Sequence, residues 1–223
     1  KLKKKYKYVI DKALWSSSTK RKIYILGNRI GSSSMFEPDK SAFKVYNFKQ
    51  KDIDSLKVTE TLEVECIQMN EALKKINVNE IEYLKIDTQG AEFEILKGMN
   101  TYQPIIIRLE VQIFSMYKGV PSWSKLISLL DDLGYIVCEF RDIGSHKTRL
   151  ATEMDMIFIP NYRTEKGQSL IKKNKHHCCL YIQILFSLDV ILCSCEYAKH
   201  PFLKFIGSFL DHIFTYVRPT IMK

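Results

Sequence analysis

The chain has 223 residues, 46% of them hydrophobic and 12% aromatic, with nine Gly, six Pro and six Cys. That length suits one domain with a small appendage, and the composition excludes a disordered, collagen-like or low-complexity chain and a disulfide scaffold. The formal charge of +9 is unevenly placed: residues 1–30 hold ten bases and one acid, residues 31–160 hold 15 and 20, and residues 161–223 hold nine and four.

The head, residues 1–8 (KLKKKYKY), reads either as a solvated helix end running into a strand or as a patch for nucleic acid or anionic lipid. Strands are predicted over 8–14, 22–26, 44–48 and 62–67, which are rich in β-branched or aromatic residues and bounded by Ser, Gly, Asn and Pro. Apolar and charged residues alternate over 62–67, which predicts one wet face. Asn70 reads as the N-cap of a short helix reaching Ile76.

The pattern then changes. Residues 81–87 form a nearly uninterrupted apolar strand, and 91–97 a helix stopped at Gly98. Residues 104–111 read as a second apolar strand. Residues 122–133 read as an amphipathic helix with Trp123, Leu126, Ile127, Leu129, Leu130 and Leu133 inward, stopped at Gly134. Two more strands are predicted over 135–140 and 155–160. Apolar strands alternating with helices predict an α/β fold with a parallel sheet covered on both faces.

Residues 161–169 read as a polar linker and 170–223 as an apolar helical extension. The run 178–195 is broken by Gln183 and Asp189, and Phe202 to Val217 is amphipathic. Neither run has the roughly 20 apolar residues of a spanning helix. Two short helices packing on each other or on the domain are expected; a membrane-surface pair helped by Lys172, Lys173 and Lys175 is the alternative. His176, His200, Cys178, Cys179, Cys193 and Cys195 match no zinc spacing, so no metal is assigned. The His residues give no nucleophilic triad.

The chemistry concentrates in YLKIDTQGAEFEILKG, residues 83–98. An apolar strand ends at Asp87, a tight turn runs through Thr88, Gln89 and Gly90, and a helix begins with Glu92 in its first turn. Ligands of open α/β sheets bind beyond the carboxyl ends of strands, where Asp87 sits. Lys85 lies two residues earlier on the same strand face, and a lysine in a buried strand needs a carboxylate partner. Glu110 closes the next apolar strand at the same level. Three acids and a lysine can thus converge on one crevice; the bland alternative is that Glu92 caps its helix and Lys85 forms a purely stabilising ion pair.

LKIDTQGAE followed by ILKG resembles the hallmark of the FkbM-type methyltransferases, S-adenosylmethionine-dependent enzymes with a Rossmann-like class I fold. Residues 11–14, 23–25 and 31–34 are similar to the family's strand–loop–strand segment after its third strand, 105–111 to its fifth strand and 155–158 to its last; the likeness covers roughly 5–160. The resemblance implies S-adenosylmethionine as cofactor, a hydroxyl on a sugar or other small molecule as acceptor, and Ala13 and Leu14 beside the adenine. Asp87 is then the base or acceptor-orienting group, Glu92 and Glu110 support it, and Lys85 fixes the local charge. Ser32 to Ser34 read as a polar loop or as part of the acceptor pocket.

The chain departs from the family at Gln89, where Glu is common, and at Met69-Asn70, where Leu-Asp is usual. The glycine-rich loop after the first strand is not found, so the chain is expected to be the C-terminal part of such an enzyme, a sheet lacking its first two strands. The strand over 81–87 would then have an open edge, and the chain alone would bind cofactor poorly and be inactive. The basic head becomes a matter of where the chain begins, and no nucleic-acid partner is expected. The expected partners are a small-molecule or glycan acceptor, the location cytoplasmic, with peripheral membrane contact through 170–223. The rival reading is a non-catalytic remnant, a partner-binding α/β domain with a membrane-peripheral helical tail.

Overall fold

A computed structural model of the chain describes residues 7–142 and 152–174. In chain order it contains β1 (Ala13–Leu14), β2 (Thr19–Leu26), a 3-10 turn (Ile30–Ser32), α1 (Ala42–Val45), α2 (Gln50–Ser55), β3 (Val58–Ile67), α3 (Met69–Lys75), β4 (Tyr83–Ile86), α4 (Glu92–Lys97), β5 (Ile106–Gln112), α5 (Trp123–Asp132), β6 (Tyr135–Asp142), β7 (Glu153–Pro160) and α6 (Glu165–Lys173).

The strands form two sheets, ordered β1-β3-β2 and β4-β5-β7-β6. β4 and β5 are parallel, with Lys85 opposite Arg108, while β7 runs antiparallel to both β5 and β6. The second sheet is therefore mixed, not parallel throughout. Its apolar runs reflect burial on both faces: Leu84, Ile86, Ile107, Leu109, Val111, Met156 and Phe158 share one core with Leu73 of α3, Ile95 and Leu96 of α4, Leu126 and Leu130 of α5 and Leu170 of α6, while Ile105, Ile106 and Ile157 form a second, smaller cluster. Leu14, Trp15, Cys66 and Ile67 from the small sheet enter the same core. Among the described residues β4 pairs only with β5 and β1 only with β3, so each sheet ends in an edge strand.

Several expectations need correction. Only Ala13 and Leu14 of the segment 8–14 pair as a strand, parallel to Cys66 and Ile67. The expected strand over 44–48 is replaced by the short helix α1. Its start is set by Asp39, whose carboxylate accepts the Ser41 N–H at 2.9 Å and the Ser41 hydroxyl at 2.7 Å. The bend then brings Phe43 and Phe48 together with Leu26 and Leu56 in a satellite core, where extended backbone would separate the two rings. The ribbon β2–β3 projects beyond the main core, so Leu62 is exposed although its strand alternates. Asn70 is the second residue of α3, with Gln68 at the N-cap. Leu126 and Leu130 of α5 are buried, whereas Trp123 is exposed. The expected linker runs into α6, capped by the Thr164 hydroxyl, which accepts the Gly167 N–H at 3.1 Å.

Gly98 ends α4 in right-handed helical backbone (φ −81°), so handedness is not its purpose. A Cβ there would press on the carbonyl oxygen of Trp15, in the chain just after β1. The Trp15 ring is buried, packs on Phe36 with centroids 5.8 Å apart, and lies 4.1 Å from the Arg21 guanidinium carbon. Gly98 thus lets the small sheet approach α4 backbone to backbone. Gly98→Ala is expected to lose about 1–3 kcal/mol of stability, seen as an earlier urea midpoint at unchanged slope.

Among the described residues no helix is long and apolar enough to cross a membrane. The basic head through Tyr6 and the tail from Lys175, with Cys178, Cys179, Cys193 and Cys195, lie outside the described residues.

Candidate functional site

The chain leaves β4 at Ile86 and turns through Asp87, Thr88, Gln89 and Gly90. The turn requires two left-handed residues, Gln89 at φ 56° and Gly90 at φ 108°. Any side chain at Gly90 would also meet Val120, whose Cγ2 would lie 2.7 Å from the added Cβ. The left-handed backbone costs Gln89 about 1–2 kcal/mol, offset by fixed contacts. The Ser34 hydroxyl donates to the Gln89 carbonyl at 2.7 Å.

Glu92 holds the turn from the other side. Its Oε1 accepts from the Thr88 N–H at 3.0 Å, the Thr88 hydroxyl at 2.9 Å and the Gly90 N–H at 3.2 Å. The residue is only 7% exposed. Burial raises its pKa against the opposing pull of these donors and of its own backbone N–H. Glu92 is therefore committed to the turn.

Lys85 and Asp87 form the expected ion pair, Nζ to Oδ2 at 3.0 Å. The Lys85 side chain is 43% exposed, so it is not the buried strand lysine expected from the apolar run. Alternation along β4 puts Leu84 and Ile86 into the core and Tyr83 and Lys85 on the opposite face.

Glu110 of β5 stands behind Gln89, whose Nε2 donates to its Oε1 at 3.0 Å. Burial first, then the negative charges of Asp87 and Glu153, push the Glu110 pKa up to about 7, while the Gln89 amide pulls it down. The Gln89 Oε1 faces the Gln112 amide nitrogen at 3.5 Å and the Tyr117 hydroxyl at 3.1 Å. Tyr117 also donates to the Ser32 carbonyl at 2.6 Å, and burial raises the pKa of its phenol. Glu153 opens β7, where burial raises its pKa and Arg29 opposes the rise.

An open cleft of about 830 Å³ lies between the small sheet and this turn. Its walls are largely apolar, including Ile23, Ile25, Val64, Leu73 and Ile95, and its polar lining includes Asp11, Lys12 and Glu65 as well as Asp87, Thr88 and Gln89 of the turn. Of the residues assigned from sequence, Ala13, Leu14 and Asp87 line the cleft, while Lys85, Glu92 and Glu110 do not. Ser33 and Ser34 are also at its wall, and Ser32 instead offers its carbonyl to Tyr117. Gln112, Tyr117 and Glu153 were not singled out from the sequence. Gln112 shares the strand face of Glu110 two residues away, a signal that was available; Glu153 comes to the site only through the antiparallel register of β7. Among the described residues no group of three or more His, Cys, Asp or Glu side chains is placed to hold a metal ion.

An acid just past a strand's carboxyl end, lining a largely apolar cleft, is the arrangement in which open α/β sheets commonly hold ligands. Residues 12–137 match the family model of the methyltransferase FkbM domain, and the chain belongs to that family. The matched span runs from just before β1 into β6 and includes Lys85, Asp87, Gln89, Glu92 and Glu110 but not Glu153. No curated protein and no solved structure gave a significant match.

Proposed function

We propose that this methyltransferase domain uses S-adenosylmethionine to methylate a hydroxyl on a sugar or other small molecule. The observation that carries the reading is Asp87, just past the end of β4, lining the cleft within the family-matched span. The strand order β4-β5-β7-β6, with β7 antiparallel, supports a Rossmann-like class I sheet.

The lining suits the nucleoside side of the cofactor: Ala13 and Leu14 offer an apolar shelf for adenine, and the Asp87 carboxylate suits a neighbouring sulfonium cation. When bound, the cofactor supplies an electrophilic methyl group for in-line displacement. The chain's own task is to position the acceptor and take its proton. Asp87 lines the cleft and orients the hydroxyl, with Lys85 paired to its Oδ2 at 3.0 Å. Glu110 supports it from β5, where the Asp87 charge acts on the Glu110 carboxyl. Glu92 keeps the turn in shape.

The test is transfer of labelled methyl from S-adenosylmethionine by the full gene product to panels of hydroxyl, amine and thiol acceptors. Transfer to hydroxyl acceptors that falls roughly 100-fold or more in Asp87→Asn supports the reading. Transfer to nitrogen or sulfur alone, or an Asp87→Asn variant as active as the wild type, overturns it. Flotation of the full product with anionic vesicles, with and without residues 170–223, tests membrane contact by the tail.

A further inference from the structure

The geometry points to Gln89 as the positioning residue of Glu110: its side-chain amide, oriented by a chain of donors that ends on a backbone N–H, holds the carboxylate in place beside Asp87. The direction of that chain follows from chemistry. The Met116 N–H can only donate, and it points at the Gln112 Oε1 at 3.1 Å. The Ser115 hydroxyl reaches the same oxygen at 3.4 Å. The Gln112 carbonyl is thereby fixed, so its NH2 faces the Gln89 Oε1 at 3.5 Å. The Gln89 NH2 must then face Glu110, which it meets at 3.0 Å. No other orientation of the two amides satisfies the Met116 N–H and gives Glu110 a donor.

The backbone serves the same end. Gln89 is one of four non-glycine residues with positive φ among the described residues, and Ser34 pins its carbonyl. A left-handed residue at this point throws its side chain toward β5, away from the path of Thr88. A non-glycine residue is kept in a costly conformation at the mouth of the cleft, where only its amide has a use.

Glu110 sits among like charges. Asp87 faces it from the end of β4, Glu153 and Asp155 from β7, and the phenols of Tyr46 and Tyr117 from the loops. The cations nearby are engaged elsewhere: Lys85 pairs with Asp87, Arg108 with Asp155, and Arg29 acts on Glu153. Among the described residues the Gln89 amide is the only hydrogen-bond donor given to the Glu110 carboxylate. It favours the ionised form, the one able to accept a proton.

This role rests on the methyltransferase reading for its purpose, but its test needs neither cofactor nor acceptor, so either can fail alone. Carboxyl carbon shifts of labelled Glu110 are followed by NMR against pH in the full chain, with the Gln89 side-chain amide shifts recorded in the same samples. The wild type is expected to show one inflection near pH 7 in both groups. Gln89→Leu should move the Glu110 midpoint up by roughly one pH unit, and Gln112→Leu should move it in the same direction by less. A Glu110 midpoint unmoved in Gln89→Leu overturns the assignment. If that variant does not fold, the wild type still decides: Gln89 amide shifts that ignore the Glu110 inflection overturn it equally.

Discussion

Glu92→Ala is expected to cost the domain about 3 kcal/mol, a fall in Tm of roughly 6–12 °C. The carboxylate is buried and accepts from the Thr88 N–H, the Thr88 hydroxyl and the Gly90 N–H. Removing it strands those donors where water does not replace it, and frees a turn that contains two left-handed residues. Glu92→Gln keeps an oxygen for the same donors and should stay within about 1 kcal/mol of wild type at neutral pH. The two variants differ again in pH dependence. The folded-state pKa of Glu92 is raised by burial, so the folded chain holds this proton more tightly than the unfolded chain. The resulting stability is fully present below the ordinary carboxylate pKa, about 4.3, and is lost as pH rises from there through the folded value. Glu92→Gln should remove that part of the stability–pH curve. Chemical denaturation across pH measures both effects. A loss under about 0.5 kcal/mol in Glu92→Ala would mean the turn holds itself.

Glu110→Gln is expected to act on chemistry more than on folding. The Glu110 carboxyl titrates at about 7, so its anion forms across the neutral range. Methyl transfer by the full gene product should rise with pH over about 6 to 8 as that anion appears. Glu110→Gln should erase this limb and lower the plateau roughly 10-fold or more, because the acid that supports Asp87 loses its charge. The pH profile of kcat/KM is the measurement. A limb that persists unchanged in the variant would place the titrating group elsewhere, with Glu153 the next acid whose pKa burial raises.

The sheet-forming half of the chain was the most legible in the sequence. β4, β5, β6 and β7 lie where runs of apolar residues end in turn residues, and α4 and α5 stop at Gly98 and Gly134 as expected. Direction was not legible: whether β7 runs with or against β5 depends on the connection to β6, not on the residues of either strand. Tyr46 and Phe48 have high strand propensity, which predicts a strand over 44–48, and local hydrogen bonding by Asp39 with burial of Phe43 overrides it. At the site, Asp87 and its lysine partner could be read from position alone. Two roles could not. Glu92 reads from sequence as a supporting acid or as a helix cap, and its oxygen bonds three donors of the turn; Gln89 reads only as a variant that loses a charge, and its amide faces Glu110.

The close seating of Trp15 against α4 gives the domain an optical reporter. The chain has two tryptophans, and Trp123 is the exposed one. With Trp123 replaced by Phe, tryptophan emission would come only from an indole that lies one residue beyond the cleft wall at Leu14, under the Arg21 cation and against Phe36. A ligand that draws the small sheet toward the Asp87 turn changes the packing and the field around that ring. The colour and yield of its fluorescence then follow the cleft directly, with no label and no knowledge of the acceptor.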